Sequence, residues 1–168
     1  MTASFTCSVC GKIHEGAPLS WGPDAPLMWE DLTPAERQRR GEINADQCII
    51  DDRYFFVRGR IEIPVTDTGE LFAWLVWAEV DRADFNSISK LWDIAGREKK
   101  APIYSARLAN QLPIYEPSTL GLETRLHTRP LGSRPLVEVV GSHRLREEQQ
   151  GGITSHYVQA IADQFLQP

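Results

Sequence analysis

The 168-residue sequence predicts an α+β fold: a mainly antiparallel sheet with flanking helices and an N-terminal Cys-x-x-Cys turn. Three patterns carry that expectation. Residues 55–65 alternate apolar and charged side chains, the period of a strand with one buried face. Residues 71–80 are apolar almost throughout, as in a strand covered on both faces. Elsewhere, cap residues stand just ahead of stretches with helical spacing, and strands and helices are segregated along the chain rather than alternating.

The chain is long enough to bury a core without disulfides, and we read it as one domain over 1–168, with 1–31 forming the cysteine turn and a Pro/Gly/Trp-rich loop packed on it. A 42% apolar and 24% charged composition is that of a soluble globular protein. The net charge of −5 argues against a nucleic-acid partner, since gripping phosphate takes clustered Lys and Arg. Arg37, Arg39 and Arg40 read as a solvated helix face. With no apolar membrane span and no leader pattern, a cytoplasmic location without membrane attachment is expected.

In chain order, Cys7-Ser8-Val9-Cys10-Gly11 is a tight turn, followed from Glu15 to Asp31 by a loop interleaving Pro18, Gly22, Pro23 and Pro26 with Trp21, Met28 and Trp29. That loop is either a binding lip or a cover for one edge of the core. Thr33-Pro34-Ala35-Glu36 starts a helix with a cap, a proline at the first position and a capping box, and Gly41 stops it. Cys48-Ile49-Ile50 precedes a long hairpin. Its first strand turns Phe55, Val57, Ile61, Ile63 and Val65 one way and Arg58, Arg60 and Glu62 the other. Residues 66–70 are turn chemistry, and the second strand faces Phe72, Trp74 and Val76 to one side, Leu75 and Trp77 to the other. Asp81 or Asp84 caps a helix carrying Phe85, Ile88, Leu91 and Trp92, ended by Gly96. Arg97–Lys100 reads as a charged loop. Three strands are expected at 103–108, 120–127 and 136–140. Ser142 caps a short helix, and Thr154 a last one whose Tyr157, Val158, Ile161 and Phe165 dock on the sheet.

The sharpest chemistry lies in the cysteines. Three is an odd number, which disfavours a disulfide framework, and in a reducing compartment Cys-x-x-Cys is a metal clip or a redox pair. Its place so near the chain start does not suit a redox pair on a βαβ unit, and Gly11 stands where haem attachment needs histidine. Cys7, Cys10, His14 and Cys48 together make a closed Cys3His set, the composition of a structural zinc site. His127, His143 or His156 can replace His14, and free thiols with Cys48 in the core is the plain alternative. His127 reads as exposed on a strand, His143 as a cap or a general base at a helix start, and His156 as surface. Asp46, Asp51 and Asp52 do not match a calcium loop, so they read as a turn. Arg58 and Arg60, on one strand face beside Glu62, are placed either for an anionic ligand or for ion pairs.

Several of these segments together resemble an uncharacterised bacterial family, domain of unknown function 2199. The resemblance rests on Phe5-x-Cys7-x-x-Cys10-Gly11-x-x-His14, on Cys48 leading into residues 54–65, and on Phe72-x-Trp74-x-x-Trp77. It continues through Leu112-Pro113-x-Tyr115 and His143-x-Leu145-x-x-x-Gln149-x-x-Gly152-Ile153. Arg144 departs from the family pattern, which has proline there. The resemblance implies an architecture and groups Cys48 with Cys7 and Cys10, but no activity.

The sequence therefore predicts a non-enzymatic protein with a structural zinc-type site that binds a protein or small ligand. Two other classes compete. Small size and acidic charge suit an immunity protein masking a basic toxin surface. A hydrolase-type enzyme would use His143 or the metal for acid–base work.

Overall fold

The computed structural model describes residues 4–6, 13–15 and 17–166. Two short strands, β1 (Ser4–Thr6) and β2 (Ile13–Glu15), pair antiparallel near the start. They are followed by β3 (Ser20–Trp21), α1 (Leu27–Glu30), α2 (Pro34–Arg40), β4 (Gly41–Ile43) and β5 (Gln47–Ile50). The hairpin is β6 (Tyr54–Pro64) and β7 (Leu71–Val80). Then come α3 (Arg82–Lys90), α4 (Arg97–Lys100), β8 (Tyr104–Leu108), β9 (Glu123–His127), β10 (Leu136–Val139), α5 (Arg144–Gly151) and α6 (Ser155–Leu166).

The hairpin is the longest ladder, antiparallel in unbroken register from Phe55 opposite Val80 to Pro64 opposite Leu71. That register puts Phe55, Val57, Ile61 and Ile63 on the same face as Phe72, Trp74, Val76 and Val80, all buried. A slip of one residue would turn Arg58, Arg60 and Glu62 into that face, so the alternation in the sequence fixes the pairing.

The sheet does not stay open. β7 pairs with β8, β8 with β9, β9 with β10, all antiparallel, and β10 returns to β6 in parallel at Leu136 opposite Arg60. Five strands thus close a barrel, with β5 and β4 extending it beyond β6 and β3 beyond β7. The α+β expectation and the mainly antiparallel pairing stand, while the sheet expected to be flanked by helices is a closed barrel. Closure depends on Gly59. A Cβ at that position would lie 2.6 Å from Val137 Cγ2 and 2.9 Å from the Pro135 carbonyl oxygen. Hydrogen alone lets β10 come close enough for Arg60 N–H to donate to Pro135 O at 2.9 Å.

The barrel interior is the main core. Phe85 and Ile88 of α3, Leu145 of α5, and Ile153, Val158 and Ile161 join it, together with Leu112 and Tyr115 from the β8–β9 connection. A second apolar cluster lies on the outer face, where Cys48, Ile50, Phe56 and Trp77 are covered by Leu32, Met28 and Trp29. This settles the Pro/Gly/Trp-rich loop as a cover rather than a free lip. Pro23 O accepts from Trp77 Nε1 and from Arg58 Nη2, Ala25 O accepts from Asn110 Nδ2, and Leu27 N donates to Ala109 O. At Gly22 the loop runs against β7 so closely that a Cβ would lie 1.8 Å from Leu75 O. Asn110 continues the ladder where β8 leaves β7, accepting from Trp77 N–H at 2.7 Å.

The expected helices form with small shifts. Thr33 and Glu36 make the full capping box of α2. Asp81 caps α3. At α5 the cap is His143, not Ser142: its Nδ1 accepts from Leu145 N–H at 3.0 Å. Residues 97–100 correct the sequence reading, for they form a short helix and Arg97 is buried. The strand expected from Leu120 begins at Glu123, because Leu120–Leu122 form the turn that feeds it. Asp51 and Asp52 are the turn that their spacing suggested, both with left-handed backbone and paired to Arg40 and Arg82.

Gly59→Ala is expected to cost about 1–3 kcal/mol in urea unfolding, the usual penalty for overpacking. Gly151→Ala, in a helix and with nothing near its new methyl group, is expected to be neutral or stabilising by about 0.5 kcal/mol. The turn joining the hairpin also has a pH signature. Ser155 donates to Asp67 from its N–H and its hydroxyl, and these bonds hold the Asp67 carboxyl below the usual carboxylate range. Its contribution is therefore present above about pH 4 and is lost as pH falls through the lowered folded value. Melting temperature against pH should show a shallower acid limb in Asp67→Asn than in the parent protein.

Candidate functional site

A large cavity of about 840 Å³ opens at the mouth of the barrel, where the start of β6 and the end of β7 meet β8 and β9. Its floor is the inward face of the strands, Phe55, Val80, Ala106 and Thr124, with Val140 beside them just past the end of β10. Its rim is polar, with Arg53, Arg82, Arg107 and Arg125 against Glu79, Asp81 and Glu123. Strand alternation produces both surfaces at once, since each strand end gives one residue to the floor and its neighbours to the rim.

Two features mark the mouth. Thr124 is 2% exposed, and its Oγ1 is buried with no hydrogen-bond partner among the described residues. A buried hydroxyl left unsatisfied costs about 1–3 kcal/mol, so its presence in an otherwise apolar floor calls for a partner supplied from elsewhere. On the rim, Arg82 is held by Asp52 at 3.1 Å and lies over the Phe55 ring, whereas Arg53, Arg107 and Arg125 have no ion-pair partner among the described residues. Arg107 stands between Glu79 and Glu123 in the cross-strand register, which makes the rim one of alternating sign.

A second polar groove, about 710 Å³, runs along the outer face of β6 under the 129–134 loop and contains Arg60 and Glu62. Sequence reasoning had singled out that pair with Arg58. The structure separates the trio: Arg58 turns to Pro23 O and to the Trp77 ring, while Arg60 lies 3.4 Å from Glu62.

His143 is not placed as a general base. Nδ1 caps α5, Nε2 lies 2.7 Å from Pro117 O, and so the neutral ring carries its proton on Nε2 with both nitrogens committed to backbone. Around it lies a buried relay in which Trp74 Nε1 donates to Tyr115 Oη at 3.0 Å and Tyr115 donates to Glu148 Oε2 at 2.5 Å. Burial, with Glu148 beside it, pushes the Tyr115 hydroxyl far above its ordinary value, so it serves as a fixed donor. Gln149 grips β10 through Val139 N–H and Val137 O. The C-terminal residues that carried the family resemblance thus converge on the packing of α5. His127 is half-buried and pairs with Glu138 at 2.9 Å rather than standing free, and His156 is exposed.

Of the expected metal ligands, Cys7 and Cys10 lie outside the described residues, as does the side chain of His14, whose backbone pairs with Phe5 in β1 and β2. Cys48 is 1% exposed in the outer apolar cluster, and burial pushes its thiol up to about 12. Among the described residues no group of three or more His, Cys, Asp or Glu is arranged to hold a metal ion. No helix among them is long and apolar enough to cross a membrane.

Fold and cavities together define the class: a small α+β protein built on a closed five-stranded barrel with an arginine-rimmed mouth. The chain belongs to the family described as an uncharacterised protein conserved in bacteria (DUF2199), whose model matches residues 6–153. No curated protein and no solved structure matches the chain.

Proposed function

We propose that the protein is a non-enzymatic binding protein whose ligand is a small amphipathic molecule held in the barrel mouth. The observation that supports this reading most is the buried, unpartnered Thr124 hydroxyl in an apolar floor beneath a rim of guanidinium groups. Barrel mouths with a few convergent polar groups are recurrent ligand sites. An apolar body would rest on Phe55, Val80 and Ala106, with a hydrogen-bonding atom toward Thr124 and a charged end among Arg53, Arg107 and Arg125. The location within the cell is proposed to be cytoplasmic, and neither nucleic acid nor membrane is part of the reading. A toxin-neutralising role has no feature of its own in this structure to carry it, and a hydrolase built on His143 would have to do without a free ring nitrogen.

Anilinonaphthalene sulfonate, with apolar rings and one sulfonate, tests the mouth directly. The native protein should enhance its fluorescence saturably, and Arg107→Glu with Arg125→Glu should weaken the dye by about tenfold, roughly the effect of removing one charge-assisted contact. A dark dye, or one bound equally well by the reversed rim, removes the reading.

The zinc-type site is part of the same proposal. Cys7, Cys10 and His14 would supply three ligands by their spacing, with Cys48 as the fourth. A metal there would have to draw the proton from a thiol that burial otherwise holds on up to about pH 12. Tag-free protein should then carry one equivalent of zinc, lost in both Cys10→Ser and Cys48→Ser. Zinc-free protein with a chelator-insensitive fold would assign Cys48 to the core alone.

A further inference from the structure

The groove under the 129–134 loop has its own chemistry, independent of the mouth. Arg97, at the start of α4, is 8% exposed and has no ion-pair partner among the described residues. Its Nε donates to Arg129 O at 2.8 Å, Nη1 to Trp92 O at 2.6 Å, and Nη2 to Ser133 O at 3.0 Å and Pro130 O at 3.3 Å. One guanidinium thereby shapes the whole loop, and its charge faces carbonyl dipoles and the Trp92 ring, 5.6 Å away.

The loop so held presents Arg129. Nη1 of Arg129 donates to Glu62 Oε1 at 2.8 Å, and the same carboxylate oxygen lies 3.4 Å from Arg60 Nε. The other two nitrogens of Arg129, Nε and Nη2, are buried and have no hydrogen-bond partner among the described residues. Nε and Nη2 share one edge of the guanidinium, the edge that takes two oxygens of a carboxylate or phosphate in parallel. The charges agree with the geometry. Arg60, Arg97, Arg129 and Arg134 line the groove against Asp46, Glu62 and Asp93, so guanidinium outnumbers carboxylate in a chain that is acidic as a whole. Arg134 is already spent on Asp46 at 2.8 Å, and Glu62 is shared between two arginines. With the Arg97 donors spent on carbonyls, the donors left for a ligand are those of Arg129 and Arg60.

We propose that this groove is an oxyanion site, in which the unpaired edge of Arg129, with Arg60 beside it, binds a carboxylate or phosphate group on a small ligand. A small void of about 20 Å³ next to Arg129, lined also by Trp92, Tyr104 and Thr128, has room for one water, and a water satisfying the two donors is the competing account.

The side-chain Nε–H resonances of the arginines decide between them. Wild-type protein is titrated at constant ionic strength with inorganic phosphate and, separately, with acetate. Saturable shifts of the Arg129 and Arg60 signals are expected with at least one anion, and which of the two binds tighter assigns the group. Arg129→Lys keeps the charge but loses the edge, and is expected to weaken that anion by about tenfold, while Glu62→Gln strengthens it by removing the competing carboxylate. Arg125→Lys, at the mouth, should leave the titration unchanged, which separates this site from the other. An Arg129 signal unmoved by either anion into the high-millimolar range assigns the donors to a buried water and overturns the proposal. So does an Arg129→Lys variant that binds as wild type does. Because the shifts are read on wild-type protein, a variant that failed to fold would still leave the first criterion decisive.

Discussion

The second edge of β6 is the constraint on which the rest of the structure depends. One edge is committed to β7 along the whole hairpin. The other is shared end to end by β5 at residues 54–57, by β10 at Arg60, and by Ile153, whose N–H donates to Pro64 O. Three segments from distant parts of the chain thus read one strand's backbone in turn. At the middle of that edge stands Gly59, whose missing side chain decides whether the sheet closes. Closure removes the free edges that an open five-stranded sheet would leave, and it creates the mouth. The groove under the 129–134 loop follows from it too, because Pro135 and Leu136 bring that loop over Arg60 and Glu62.

Buried polar groups refine what closure establishes. Asn110 replaces a strand residue where β8 departs from β7, and its amide also fastens the covering loop through Ala25. Arg97 does the same for the loop before β10, at the cost of burying a charge, a cost that four carbonyl contacts offset. In both places a single side chain satisfies irregular backbone that no ladder reaches, the condition under which loops can lie against a core.

The hairpin was legible in the sequence because its alternation and turn are local signals: Phe55 to Val65 could have only one face inward. The capping box at Thr33 and Glu36 was legible for the same reason. Closure was not, since Gly59 interrupts no pattern and its partner lies far along the chain. Arg97 was misread because a run of charged residues looks solvated until a fold surrounds its first member with carbonyls. Of the sites, Arg60 and Glu62 stood out by their shared face, but Arg129 comes from a loop with no periodicity, and the mouth draws on four strand ends that only closure brings together. His143 drew attention as a histidine with chemistry and turned out to be architecture, both nitrogens bound to backbone.

The parallel return of β10 to β6 has a consequence for how the chain is made. Synthesis delivers the hairpin early, and its ten paired positions can assemble as soon as residue 80 is free. Its partner at Leu136 arrives only after more than half a hundred further residues, and Ile153 later still. Until then the emerging polypeptide displays half of β6 with backbone groups unpaired and the inner faces of both strands uncovered, a surface other chains can join. Synthesis rate and holding chaperones therefore bear on the yield of this protein, alongside the strength of the contacts in its finished form.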